Sequence, residues 1–246
     1  MLEEQINAPT PDLATRYRKH FASAVSGAGF LIFSCFAKCP IRLAVFNNWA
    51  VRHLRRVTRL QKGGSLKRLR EDIERFQHLQ GRAPHVTILT VLFAIFQPRL
   101  APVVLLRIAA FMHEHHLALL AKPFSIVNVI VFGIEVSPRV KIGGGLFLPH
   151  TVGTVIGAES IGKNCTIMQG VTLGSSEPDL GFDISTRPQI GNDVLIGAGA
   201  KIIGRVTVSD HAKIGANAVV LCNVPAYAVA VGVPATIIPR EVPTKS

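Results

Sequence analysis

Two side chains suited to proton transfer, Glu135 and His150, lie 15 residues apart in the second half of the chain. An imidazole whose pKa is near neutrality can accept a proton from an attacking alcohol and then donate it to a leaving group. A carboxylate beside the ring would hold its tautomer and stabilise the imidazolium. On spacing alone a structural role is the more common one, so the pair depends on a fold that stacks the two segments.

A strict period of six residues in the second half predicts such a fold. Aliphatic residues recur at Ile190, Ile196, Ile202, Val208, Ile214 and Val220. A helix needs apolar recurrence at three and four residues and an ordinary strand alternates at two, so neither explains this pattern. It predicts a triangular coil with one inward aliphatic side chain per face and a small or turn-forming residue at each corner. One turn takes about 18 residues, which places Glu135 and His150 on neighbouring turns.

The same phase begins upstream, so we expect the coils to start near Ile134. Its aliphatic positions are Val136, Ile142 and Leu148, and then Ile161, Ile167 and Leu173, with a slip of register between Leu148 and Ile161. From Gly174 to Gln189 the pattern is lost, which predicts a loop ejected from one corner. The predicted fold class is α+β, with an N-terminal helical domain followed by a left-handed parallel β-helix of hexapeptide repeats.

Ahead of the repeats the apolar spacing becomes helical. A break at Gly63-Gly64 and a candidate N-cap at Ser65 precede an amphipathic stripe. The stripe consists of Leu66, Leu69, Ile73 and Phe76. Apolar runs at 86–96 and 103–120 predict further packed helices. The predicted divisions are an apolar and basic extension (1–60), a helical domain (61–133), the β-helix (134–238) and a tail (239–246).

Positive charge is concentrated in the front half, where residues 1–100 hold 16 Lys and Arg against 6 Asp and Glu. Such an excess attracts any anionic partner without discriminating among them. No recognition motif supports nucleic acid, so none is expected as a partner. Peripheral membrane contact stays open, because basic residues follow an apolar stretch (22–37) that is too short to cross a bilayer. These basic residues are Arg52, Arg55, Arg56, Arg59 and Lys62.

The cysteines and histidines predict neither disulfides nor a metal site. The cysteines, Cys35, Cys39, Cys165 and Cys222, are few and scattered, and no signal peptide is evident. We therefore expect buried, reduced thiols in a protein of the cytoplasm, with the inner face of the membrane as an alternative location. His113, His115 and His116 lack a further ligand at suitable spacing, so no metal is expected.

The segment from Phe132 to Pro234 resembles the serine acetyltransferase branch of the hexapeptide-repeat acyltransferases. The matching motifs are Phe-Gly-Ile-Glu-Val-Ser-Pro, Leu-Pro-His-Thr-Val-Gly, Gln-Gly-Val-Thr-Leu-Gly, Ile-Gly-Ala-Gly-Ala-Lys-Ile-Ile-Gly and Gly-Val-Pro-Ala. This resemblance implies that His150 is the general base and that Glu135 orients it. It also implies acetyl-CoA as co-substrate and a homotrimer, and it leaves a dimer of trimers open. Acetyl-CoA would lie in the groove between neighbouring β-helices, near Gly174, Ser175, Ala198, Ala216 and Lys213.

Three positions depart from the serine acetyltransferase pattern. Pro149, Thr186 and Arg187 stand where an Asp and an Arg-His pair usually grip the charged ends of the amino acid. Leu-Pro-His instead resembles the branch that acetylates sugars, so the predicted acceptor is a saccharide hydroxyl in surface-polysaccharide biosynthesis. Two alternatives stay open: serine O-acetylation for cysteine biosynthesis, with a small-molecule acceptor, and a β-helix scaffold without catalytic activity.

Overall fold

A computed structural model describes residues 64–179 and 181–240, in which four α-helices precede a stack of short strands. The helices are α1 (Ser65–Leu79), α2 (Ile88–Phe93), which continues into the 3₁₀ turn Ala94–Phe96, α3 (Ala101–Glu114) and α4 (Ala118–Phe132). The strands are β1 (Ile134–Val136), β2 (Lys141–Ile142), β3 (Thr154–Ile156), β4 (Ser160–Ile161), β5 (Thr166–Ile167), β6 (Thr172–Gly174), β7 (Gln189–Ile190), β8 (Leu195–Ile196), β9 (Lys201–Ile203), β10 (Thr207–Val208), β11 (Lys213–Ile214), β12 (Val219–Val220), β13 (Val229–Val231) and β14 (Thr236–Ile238). The predicted extension at 1–60, with its basic residues, Cys35 and Cys39, lies outside the described residues.

Successive strands pair in parallel on three faces, which confirms the predicted fold class. Face A has the order β1-β3-β6-β9-β12, face B is built from β2, β4, β7 and β10, and face C from β5, β8, β11 and β13. On face A, one inward aliphatic residue per coil stacks on the next. This ladder is Val136, Ile156, Leu173, Ile202 and Val220. Only β14 runs antiparallel among the described strands, against β13.

The predicted slip of register is a local change of corner length. Phe147 forms a parallel bridge with Thr166, so Leu148 lies level with Ile167 on face C. From Leu148 to the next inward residue, Ile156, the chain advances eight residues (156 − 148), and from there to Ile161 it advances five. Most later steps, such as Ile196 to Ile202, take six. The first corner between faces C and A therefore contains two additional residues.

Helix α1 packs on the β-helix with a narrower apolar stripe than predicted. Leu69, Ile73 and Phe76 are buried, but Leu66 is 75% exposed. The N-cap position belongs to Gly64, and the hydroxyl of Ser65 instead donates to the backbone carbonyl of Arg107 at 3.0 Å. The predictions for Leu66 and Ser65 were therefore wrong, because Ser65 lies on the side of the first turn that faces α3, whereas Leu66 lies on the side that faces solvent.

Charged side chains dock the helices onto the first coil, which contains β1 and β2, and onto the second coil, which contains β3, β4 and β5. The Arg107 guanidinium donates to both carboxylate oxygens of Asp72, at 2.8 and 3.0 Å, and both side chains are buried. It also donates to the carbonyl oxygens of Ile142 (2.8 Å) and Gly143 (2.6 Å). Arg75 donates to the Cys165 carbonyl oxygen at 2.7 Å. Backbone carbonyls of the β-helix therefore satisfy guanidinium groups of the helices.

The remaining apolar runs differ from their prediction. Run 103–120 is divided at the turn 115–117 into α3, which is largely buried, and the start of α4. Run 86–96 forms α2 and the 3₁₀ turn, but no residue of α2 is buried. In the described ranges no individual helix has both the length and the apolar composition to cross a membrane, and the one pair that qualifies jointly, Ile88–Phe96 with Ala101–Glu114, is bent by 111°.

Candidate active site

His150 lies on the lengthened corner between face C of the first coil and face A of the second. We call this column of corners the CA edge (residues 149–153, 168–171, 197–200 and 215–218). Thr151 Oγ1 donates to the Phe132 carbonyl oxygen at 2.7 Å, and the Gly153 amide donates to the Gly133 carbonyl oxygen at 2.9 Å. The backbone after His150 is thus fixed against the end of α4. The ring itself is exposed and has no hydrogen-bond partner within residues 64–179 and 181–240.

Glycine is required where these two segments touch. Gly133 ends α4 with a φ of 62°, in the left-handed region. A Cβ on Gly133 would also stand 3.3 Å from the Val152 Cα. Any other residue would strain the turn and push the His150 corner away from α4. The motif Phe-Gly-Ile-Glu therefore contributes more than Glu135, because its glycine supports the backbone of the His150 corner.

Glu135 is exposed in the middle of β1, and its Cα pairs with that of Val155 on the next coil. Glu135 follows Gly133 by two residues, and the Gly153 amide donates to the Gly133 carbonyl oxygen, so the backbones of the two segments are adjacent. No hydrogen bond or ion pair links the two side chains in the described part of the chain. The orienting role of Glu135 stays a prediction.

Ala198 and Ala216, two residues predicted to contact acetyl-CoA, share the CA edge with His150. The Gly170 amide donates to the Val152 carbonyl oxygen (3.0 Å), and the Asn217 amide donates to the Ala198 carbonyl oxygen (2.8 Å). These backbone bonds align successive corners into one column. Lys213 is exposed on β11, three residues before Ala216. Small side chains along this column would let an extended thioester substrate approach the backbone closely.

Gly174 and Ser175, which were also predicted to contact acetyl-CoA, lie at the opposite edge of face A. We call it the AB edge (residues 157–159, 174–188 and 204–206). The Ser175 hydroxyl donates to Thr186 Oγ1 at 2.8 Å. Four residue steps along face A, from Gly153 to Gly157, span about 13 Å at roughly 3.3 Å per residue. The predicted cofactor residues therefore form two groups that do not meet within one chain.

The predicted acceptor residues are divided in the same way. Pro149 is half-buried beside His150, whereas Thr186 and Arg187 lie at the AB edge, where the ejected loop rejoins the coil. Thr186 Oγ1 also donates to the Asp183 carbonyl oxygen at 3.0 Å. The Thr186 hydroxyl is thus engaged within its own loop.

Arg187 is buried and forms contacts that the sequence did not predict. Its guanidinium donates to Asp179 Oδ2 at 2.7 Å and to the Gly157 carbonyl oxygen at 2.8 Å. It also lies over the Phe182 ring, with Cζ 4.0 Å from the ring centroid. The hydrogen bond from Arg187 lowers the pKa of the Asp179 carboxyl below its usual range. Arg187 therefore fastens the loop to the second coil.

Cysteines and possible metal ligands are the other reactive side chains in the described part of the chain. Cys165 is fully buried, and burial raises the pKa of its thiol to about 11, so it is a poor nucleophile at neutral pH. Cys222 is exposed, so the expectation of a buried thiol was wrong at that position. Among residues 64–179 and 181–240, no three His, Cys, Asp or Glu side chains are grouped so that they could hold a metal ion.

Comparison with known proteins places this chain in a family. The family described as "Bacterial transferase hexapeptide (six repeats)" matches residues 187–222. The chain is 42% identical over 136 residues to the serine acetyltransferase of Helicobacter pylori strain ATCC 700392 / 26695. That alignment covers 55% of this chain and 78% of the relative. The chain belongs to the serine acetyltransferase family.

Solved structures of the family superimpose on most of the chain. A truncated serine acetyltransferase apoenzyme matches with a TM-score of 0.61 at 32% identity, covering 72% of each chain. Serine acetyltransferase from Brucella abortus strain S19, in complex with coenzyme A, matches with a TM-score of 0.58 at 32% identity, covering 69% of this chain and 66% of that one. The predictions of an acyltransferase and of acetyl-CoA as its co-substrate are confirmed. These relatives are named for serine, so they do not support the predicted preference for a saccharide.

Proposed function

We propose that this serine acetyltransferase family member transfers the acetyl group of acetyl-CoA to the hydroxyl of L-serine, with His150 as the general base. One observation carries the proposal. The exposed imidazole of His150 stands on a protruding corner of a β-helix whose chain is 42% identical to a serine acetyltransferase. The predicted alternative of serine O-acetylation thereby replaces the saccharide as the first choice of acceptor.

The proposed mechanism uses one histidine for both proton transfers. His150 accepts the hydroxyl proton as the acceptor oxygen attacks the thioester carbonyl carbon, and a new C–O bond forms. When the C–S bond breaks, the imidazolium returns that proton to the departing thiolate. Glu135, on the neighbouring coil, would stabilise the imidazolium in between. No acyl-enzyme intermediate is required.

The division of the predicted residues between two edges supports a homotrimer. In a ring of three chains, the CA edge of one β-helix can face the AB edge of the next. His150, Ala198 and Ala216 of one chain would then meet Gly174 and the loop of its neighbour. Within a single chain the two groups of residues lie about 13 Å apart, at opposite edges of face A. The groove between two chains would bring one group of each chain together.

A second acceptor class, the neutral hydroxyl of a saccharide, is favoured by the contacts of the loop. An amino acid needs partners for its ammonium and carboxylate groups, and buried charges without partners are costly. Pro149 cannot supply a charge, and the Thr186 hydroxyl and the Arg187 guanidinium are already paired within the chain. A saccharide would bind beside His150 without these charged partners.

The test is thiol release from acetyl-CoA by the purified full-length protein, offered L-serine and, separately, nucleotide sugars and oligosaccharides. His150→Ala should lower kcat/KM by about 10²–10⁴-fold. His211→Ala is the matched control, because His211 is an exposed histidine on another corner of the same β-helix, where its ring stacks on Tyr227 at 4.6 Å. Its turnover should stay within about twofold of the wild type.

Each outcome decides between the candidates. Serine-dependent release that His150→Ala abolishes would support the proposal. Release with saccharides alone would assign the neutral hydroxyl as the acceptor. Failure to bind acetyl-CoA, with indifference to His150→Ala, would contradict both and leave the scaffold alternative.

A further inference from the structure

The segment formed by α2 and the following 3₁₀ turn presents a continuous apolar face to solvent. We call it the α2 face. Its residues are Ile88, Leu89, Leu92, Phe93 and Phe96, which are exposed by 77, 61, 63, 63 and 77%. Their spacing of one, three and four residues places them on one side of the helix. Single exposed apolar residues are ordinary on a protein surface, but five on one face mark an interaction site.

The opposite side of the same segment is anchored to the protein. Ala94 is buried, and Val91 and Ile95 pack against the cluster that includes Leu100 and Val104. The N-terminus of α2 is closed by a capping box, in which Thr87 Oγ1 accepts from the Thr90 amide at 3.2 Å. The α2 face is therefore held in its exposed orientation by contacts on its other side.

The charged side chains of the chain segment that carries the α2 face are of one sign. From residue 75 to residue 113 the chain has no Asp or Glu, but it has four arginines. Two of them, Arg82 and Arg99, flank the segment and are exposed. An apolar face flanked by arginines, in a segment without carboxylates, is complementary to a surface that is apolar inside and anionic outside.

We propose that the α2 face binds to the surface of an anionic lipid bilayer. The segment 88–96 is about 14 Å long at 1.5 Å per residue, far less than the roughly 30 Å of a hydrocarbon core, so it lies in the interface and does not cross. The apolar side chains enter the acyl boundary, and Arg82 and Arg99 remain beside the headgroups. The α2 face contains none of the residues assigned to the CA edge or the AB edge.

A second copy of the chain is a poorer occupant of the α2 face. In a two-fold symmetric contact the same patch meets itself. Arg82 and Arg99 of one copy would then approach the same arginines of the other, with no carboxylate between residues 75 and 113 to offset the repulsion. A lipid surface with negative headgroups meets no such repulsion.

The experiment is cosedimentation of the full-length protein with vesicles of phosphatidylcholine alone and of phosphatidylcholine mixed with phosphatidylglycerol. The wild type should bind the mixed vesicles, and more weakly as salt is added. The double variant Ile88→Gln/Phe96→Gln should have a partition coefficient between mixed vesicles and water that is at least about tenfold lower than that of the wild type. Leu66→Gln is the matched control, since Leu66 is 75% exposed but lies on α1, among charged residues. The partition coefficient of Leu66→Gln should match that of the wild type. The rate of thiol release from acetyl-CoA should match the wild type in Leu66→Gln and in the double variant.

Three results would overturn the proposal. The first is equal vesicle binding by the wild type and Ile88→Gln/Phe96→Gln, which would assign any binding to other residues. The second is no binding of the wild type to either vesicle. The third is a larger wild-type assembly in analytical ultracentrifugation that the double variant dissociates, which would assign the α2 face to a second copy.

Discussion

The β-helix and the helices that precede it bury different kinds of side chain. The interior of the β-helix is aliphatic, as at Ile161, Ile196 and Val208, and each coil bonds to the next through its backbone. The helices bury Asp72 and Arg107, whose charges are satisfied partly by each other and partly by carbonyls of the β-helix. The β-helix is therefore self-sufficient coil by coil, whereas the helices depend on it.

The most severe test of this difference is Asp72→Ala. Removing the carboxylate leaves the Arg107 charge buried, which should lower the free energy of unfolding by about 3–5 kcal/mol. We expect hydrogen exchange to accelerate first in α1 and α3, with the β-helix protected. Glu74→Ala is the control on the same helix, because its pair with Arg70 is exposed and should cost at most about 0.5 kcal/mol. Equal costs for the two variants would refute the dependence of the helices on the buried pair.

Within the β-helix the largest loss should come from Ile196→Ala, which opens a cavity in the face C ladder. Ile196 is fully buried, so chemical denaturation should show a loss of about 2–5 kcal/mol. Leu195, one residue earlier, points outward and is 38% exposed, so Leu195→Ala should cost far less. Hydrogen exchange should accelerate mainly in neighbouring coils. Acceleration confined to the helices would contradict a self-sufficient β-helix.

A smaller effect is expected at Cys165, where α1 docks on the second coil. Its pKa in the folded protein is about 11, against 9.0 for an ordinary thiol. Above pH 9 the unfolded chain loses this proton and the folded protein keeps it, so stability should fall between pH 9 and pH 11. A difference of about 2 pH units (11 − 9) corresponds to about 3 kcal/mol. Cys165→Ala should remove that part of the pH dependence, whereas an identical pH profile in the variant would show that the thiol does not contribute.

The interior of the β-helix could be predicted from the sequence because every repeat places an aliphatic residue at the same position of its six. Ile190, Ile196 and Ile202 all point inward as the period of six requires. The rule failed where the period changed. Val224 bridges to Val208 only four residues after Val220, so Cys222 falls at a corner and is exposed.

Non-local partners could not be predicted in this way. The burial of Arg187 depends on Asp179 and Phe182, whose positions follow from the shape of the loop and not from any spacing. The exposure of the α2 face depends on which elements cover it. His150 and Glu135 were found as candidates from their chemistry and from the motifs around them, with a separation close to one turn of the coil. None of these signals revealed that Thr186 and Arg187 lie at the other edge of face A.

The antiparallel strand β14 also determines how long the stack of coils can grow. A parallel β-helix ends in unpaired strand edges, and such edges can template the addition of another molecule into a fibre. On face C the chain turns back, and Val229 of β13 pairs with Ile238 of β14. The outermost strand of this face, β14, therefore runs antiparallel to the strands of the coils. End-to-end polymerisation through this face would require a reversed partner, and the protein thereby terminates its own repeat.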